Sequence, residues 1–180
     1  QVVLDYVYEI ASHTLGGETC TLIVSQLEQM YLGEDFDVRP HKVNESGAST
    51  KEIGDIDVYD TNGHLAYSFE VKDKDFSVQD VAHAVGKFVK AGLTNSFFIY
   101  GKNATFDKGA IFDYLKEAGM NGHYCCLISI LHFSKLRIGS MQPLSLRDFI
   151  DGMLKFAKTI NAKTDTISTI KDLMLRIAKT

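Results

Sequence analysis

The chain contains no hydrophobic run near the ~18 residues that a membrane-spanning helix requires. It has no secretory leader pattern. Cysteine is scarce: Cys20, Cys125 and Cys126 are too few and too badly spaced for a zinc site. Cys125 and Cys126 sit inside an apolar run, and free buried thiols suit a reducing, cytoplasmic compartment. Proline occurs only at 40 and 143, and neither repeats nor low-complexity segments are visible. Basic charge is not in excess, with 19 Lys and Arg against 23 Asp and Glu and a net charge of −4. That excludes a surface coated with cations and leaves room for a local basic patch. What is present is ordinary for a globular domain: 180 residues, 45% hydrophobic and 23% charged. One domain over residues 1–180 is the expectation, with a core over about 18–130 and C-terminal helices over about 147–180. The first residue is Gln1, so a piece of a longer chain is expected.

The chain is organised around residues 54–73, GDIDVYDTNGHLAYSFEVKD. Asn62-Gly63 predicts a two-residue type I′ hairpin turn, which needs positive φ at both positions. The strands on either side are residues 54–59 and 65–72. In the second, Leu65, Tyr67, Phe69 and Val71 alternate with Ala66, Ser68, Glu70 and Lys72. Folding about the turn sets Tyr59 opposite Ala66, Asp57 opposite Ser68 and Asp55 opposite Glu70. Asp55, Asp57, Glu70 and Lys72 then share one face. Three carboxylates on one face raise one another's pKa, and a divalent cation with oxygen ligands relieves the conflict. Lys72 adds a positive charge beside it. The combination points to metal-assisted hydrolysis of a phosphate ester. Acidic residues on a solvated hairpin face are the competing, plainer reading.

The remaining chain reads as an α/β fold, a mixed β-sheet with an antiparallel hairpin flanked by helices. Residues 2–11 and 18–32 read as helices, separated by Gly16-Gly17. Glu28, on the second, is either a site residue or an ordinary surface glutamate. Residues 36–43 hold a short edge strand that tolerates Pro40, and 44–50 form a polar loop. Ser77 caps a helix over 78–90, whose polar side carries Gln79, His83, Gly86 and Lys90. Strands follow at 95–100, parallel to the Glu70 strand, and at 124–130, with a helix over 106–118 between them. Two helices close the chain, over about 147–160 and from Asp165 or Thr166.

Asp57 with Glu70-Val71-Lys72 resembles the active-site motif of the PD-(D/E)XK nuclease superfamily, which includes type II restriction endonucleases, Holliday-junction resolvases and repair nucleases. The lead-in Gly54-Asp55-Ile56-Asp57-Val58 resembles that of resolvase-like members, with Gly54 where the nominal pattern has proline. The resemblance favours Asp57 as first metal ligand through its Gly-x-x-Asp spacing. It leaves Asp55 as a second ligand, a supporting residue or a surface acid. It implies one or two Mg²⁺ ions held by Asp57, Glu70 and the Val71 carbonyl, with Lys72 orienting or deprotonating the attacking water. It also implies Gln79 or His83 near the phosphate, and Glu28 reaching the metal directly or through water. Residues 73–87 resemble the SacI type of restriction endonucleases, which implies a homodimer cutting a palindromic DNA duplex. The loop residues Arg39, His41, Lys42, Ser46, Ser49, Thr50 and Lys51 are then candidates for touching DNA. A resolvase or repair nuclease, or an inactive DNA-binding domain, remain the alternatives.

Overall fold

In the computed structural model, residues 1–13, 15–41 and 52–177 are described. The loop candidates Lys42, Ser46, Ser49, Thr50 and Lys51 lie outside them. The sheet is built around β3 (Leu65–Lys72). On one side β2 (Ile56–Asp60) pairs with it antiparallel, and β1 (Phe36–Pro40) pairs antiparallel with β2. On the other side β4 (Asn95–Tyr100) and then β5 (Tyr124–Ser129) run parallel. The order is β1-β2-β3-β4-β5. Parallel neighbours need crossover connections, supplied by α3 (Val78–Lys90) and α4 (Lys108–Met120). Pro40 ends an edge strand, where its missing N–H costs no ladder bond.

Strand parity sorts the molecule into two cores. Val38, Ile56, Val58, Phe69, Val71 and Ile99 pack with α1 (Val2–Ile10), α2 (Glu18–Leu32), α5 (Ile130–Gly139), α6 (Leu146–Thr159) and α7 (Thr164–Ile177). Phe98 and Cys125 face the opposite way and pack with Val81, Val85 and Phe88 of α3 and Ile111 of α4. Phe69 is the pivot of the first core, stacked 4.9 Å from Phe97 and edge-on to Phe133 at 5.8 Å. The fold is therefore α/β, with a five-stranded mixed sheet between helical layers.

The hairpin differs from the type I′ expectation. Gly63 alone has positive φ, at 78°. Gly63 N–H donates to the Asp60 carbonyl and Asp60 N–H to the His64 carbonyl, each at 3.0 Å, so the loop is three residues, Thr61 to Gly63. The Asp60 carboxylate accepts from the Asn62 and His64 amides at 2.9 and 2.8 Å, which stabilises that turn without left-handed Asn62. A bulge follows: Val58 pairs with Tyr67, but Tyr59 pairs with Leu65 and not Ala66. The extra residue reverses parity, so Leu65 packs with the α3/α4 core while Tyr67 stays with the other.

Two further elements depart from the sequence reading. α5 follows β5 without a break, started by Ser129, whose hydroxyl accepts the His132 amide at 3.2 Å. The continuous apolar run from Tyr124 hides that boundary. α2 is buried on every side from Glu18 to Glu28, because α6 approaches it closely: a Cβ on Gly152 would sit 2.1 Å from Gln26 Oε1. Its acidic residues are satisfied internally. Glu18 accepts from the Lys163 amide at 3.1 Å and the Thr166 hydroxyl at 2.5 Å, tying α2 to the start of α7.

Candidate active site

The cluster forms where β2 enters the sheet. Gly54 passes so close to β3 that a Cβ there would lie 2.4 Å from the Phe69 carbonyl oxygen. Its N–H donates to Asp57 Oδ1 at 3.0 Å. Proline could meet neither demand, which accounts for glycine at this position. The close approach lets Asp55 N–H donate to the Phe69 carbonyl at 2.8 Å, so Asp55 lies beside Glu70. Its carboxylate accepts the Val71 amide at 2.8 Å.

Glu70 is nearly enclosed, with 8% of its side chain exposed. Lys72 Nζ lies 2.8 Å from its Oε1 and Lys87 Nζ 3.2 Å from its Oε2. Burial, and then the negative charge of Glu70, push the Asp55 carboxyl up to about 6. Burial pulls the Lys72 ammonium down, but the charge and hydrogen bond of Glu70, with Asp55 and Asp80, hold it above the ordinary lysine value. Lys72 is thus a charged donor. Two carboxylates and two ammoniums converge on the β3 face under α3.

Asp57 shares that face but is occupied otherwise. Its Oδ1 accepts from the Gly54 amide and, at 2.6 Å, from the Ser68 hydroxyl; its Oδ2 accepts from the Ile53 amide at 3.1 Å and meets His41 Nε2 at 2.9 Å. Burial alone raises its carboxyl, yet the hydrogen bonds from His41, Ser68, Ile53 and Gly54 outweigh it and hold the pKa below the usual range. Its four donors engage both carboxylate oxygens. Asp57 fastens the ends of β1 and β2 to β3.

The other candidates separate clearly. Gln79 and His83 are exposed, and no hydrogen bond joins them to the cluster. Lys87, one turn beyond His83 on the same stripe of α3, reaches it instead; the i, i+4 spacing from His83 was the available signal. Glu28 is neither a surface residue nor a neighbour of the cluster. It is fully buried on the opposite side of the sheet. There it accepts from Arg137 Nε at 2.6 Å, Arg137 Nη2 at 2.9 Å and the Tyr67 hydroxyl at 2.5 Å. Arg39 lies over the Tyr59 ring at 4.3 Å and pairs with Asp37 at 2.7 Å, while His41 serves Asp57. All three cysteines are free. Among the described residues no helix is long and apolar enough to cross a membrane.

A mixed sheet with antiparallel β1-β2-β3 and parallel β3-β4-β5, helices on both faces and an acidic pair at its centre, is the core of a restriction-endonuclease-like domain. Residues 1–102 match the model of the SacI restriction endonuclease C-terminal domain, more than half of the chain, and the chain belongs to that family. The matched region runs from α1 through β4 and includes Asp55, Asp57, Glu70, Lys72 and Lys87. No curated protein matches the chain.

Proposed function

We propose that this chain carries the nuclease centre of a Mg²⁺-dependent type II restriction endonuclease of the PD-(D/E)XK kind, hydrolysing phosphodiester bonds of duplex DNA at a specific site. The observation that carries the reading is Asp55, just ahead of β2, beside Glu70 of β3 with Lys72 against Glu70. We assign the first acidic role to Asp55, whose carboxyl lies beside Glu70 and is raised by burial and by that charge, whereas Asp57 is held by four strand-end donors.

The residues fit a hard divalent cation. Burial and mutual repulsion hold the Asp55 carboxyl above its ordinary range, the condition a cation relieves. Among the described residues no group of three His, Cys, Asp or Glu converges. The ligands would be Asp55, Glu70, the Val71 carbonyl and water, a set that suits Mg²⁺, which keeps several waters. Bound there, the cation would acidify a water and neutralise charge developing on the phosphate. Lys72 orients the incoming nucleophile or helps to deprotonate it, and its charge stabilises the doubly negative pentacoordinate phosphorus. Departure of the 3′ oxygen leaves 5′-phosphate ends. Cutting both strands of a palindromic site calls for a homodimer.

The test is digestion of plasmid DNA in Mg²⁺ or EDTA. Discrete Mg²⁺-dependent fragments are expected, abolished by Glu70→Ala and by Lys72→Ala with the fold retained. Cleavage confined to branched DNA would indicate a resolvase-like enzyme, and duplex binding without cleavage an inactive domain. An active Lys72→Ala protein refutes the assignment.

A further inference from the structure

Among the described residues, Lys87 is the one cation of the cluster that does not come from the sheet. It stands in the last turn of α3, and its ammonium reaches Glu70 Oε2 at 3.2 Å while Lys72 takes Oε1 at 2.8 Å. Each oxygen of an enclosed carboxylate is therefore matched by its own ammonium. Lys87 is the outer partner: its contact is longer and its side chain is 37% exposed, against 25% for Lys72. Fixing a lysine costs rotamer entropy, so the contact persists only while the charge of Glu70 is available to it.

Charge counting gives this lysine a second partner. Asp55 and Glu70 against Lys72 and Lys87 balance when all four are ionised. A divalent cation on the carboxylates leaves an excess of positive charge, and repulsion displaces the more loosely held, more exposed ammonium. A DNA phosphodiester brings one negative charge, and a second develops as the nucleophile adds. We propose that Lys87 is an exchangeable counter-ion: it neutralises Glu70 in the metal-free protein and moves to a DNA backbone phosphate at the same site when a divalent cation takes its place. The proposal rests on the metal-nuclease reading of the cluster.

The test uses the whole chain with Lys87→Met, which keeps the stem without the charge, and Lys87→Arg. Ca²⁺ binding is measured calorimetrically. Binding of a short mixed-sequence duplex is followed over a salt series, in Ca²⁺ and in EDTA. Ca²⁺ is expected to bind Lys87→Met about tenfold tighter than wild type, because no ammonium is displaced. In Ca²⁺ the slope of log affinity against log salt falls by about one in Lys87→Met, and Lys87→Arg restores it. In EDTA the slopes of wild type and Lys87→Met coincide. A lysine that only braces α3 lowers the melting temperature on replacement and moves neither readout. Unchanged or weaker Ca²⁺ binding in Lys87→Met, or the same loss of slope with and without Ca²⁺, overturns the proposal while wild-type Ca²⁺ binding keeps the metal site. A wild-type protein that binds no Ca²⁺ overturns both.

Discussion

Replacing Asp55 by asparagine is expected to stabilise the metal-free protein at neutral pH while abolishing its response to Mg²⁺. Asparagine keeps an oxygen to accept the Val71 amide, which Asp55 receives at 2.8 Å, and removes the charge facing Glu70. The magnitude follows from linkage. A carboxyl raised on folding binds its proton more tightly in the native state, so stability falls as pH rises through the interval between the unfolded and folded values. Here that interval runs from 3.8 to about 6. The ionised Asp55 then costs about 2–3 kcal/mol above pH 6 and nothing below pH 4. Urea unfolding in EDTA from pH 4 to 8 tests this: the variant and wild type should coincide at the acid end and diverge by that amount above about pH 6. Mg²⁺ should close that gap. A ligand at a hundred times its Kd adds about 2.7 kcal/mol to wild type, and the variant should gain almost none. A stability difference that does not change with pH, or a variant less stable than wild type at pH 8 in EDTA, refutes the reasoning.

Asp57 carries the opposite sign. Its folded pKa is depressed, so its contribution is present above the unfolded carboxylate value and is lost as pH falls through the folded one; Asp57→Asn should lower stability at pH 7 by about 1–3 kcal/mol and flatten the acid limb of an unfolding curve. Gly54→Ala should cost more than about 2 kcal/mol by chemical denaturation, since its Cβ meets backbone at 2.4 Å and not a side chain that can yield. Arg137→Met strands the buried Glu28 carboxylate and should cost about 3–5 kcal/mol; adding Glu28→Met should recover most of it, and a purely additive double mutant would show that the pair is not coupled.

The face of the hairpin was legible because strand periodicity is a local rule. Phe69 and Val71 against Ser68 and Glu70 follow from alternation alone, and the Asp57–Ser68 pairing matches it. The rule failed at Leu65, where the bulge at Ala66 reverses parity; a three-residue loop and a two-residue loop share the same Asn-Gly signal. Helix ends marked by caps were also legible, as with the Ser77–Asp80 capping box. Glu28 was misread because α2 looks one-sided by itself. The elements that enclose it, α5 with Arg137 and α6 with Gly152, lie more than a hundred residues away in sequence.

The choice between Asp55 and Asp57 shows what a motif cannot contain. Spacing counts residues, and the Gly-x-x-Asp spacing favours Asp57. What separates them is the number of donors each receives, and those donors are the backbone amides of Ile53 and Gly54, the Ser68 hydroxyl and His41 from the far side of β1. The Gly54 amide reaches Asp57 where Gly54 presses against the Phe69 carbonyl, and the Ser68 hydroxyl reaches it through the β2–β3 register. Among the described residues Asp55 has one hydrogen bond, from Val71, beside a second carboxylate. One acid is therefore held below its ordinary pKa by hydrogen bonds, and its neighbour above it by burial and the charge of Glu70. Under the proposed reading a cation relieves the second kind of residue most, because burial and the charge of Glu70 raise its carboxyl. The two residues should thus respond oppositely to pH, to neutral substitution and to Mg²⁺, although a single position separates them along the strand.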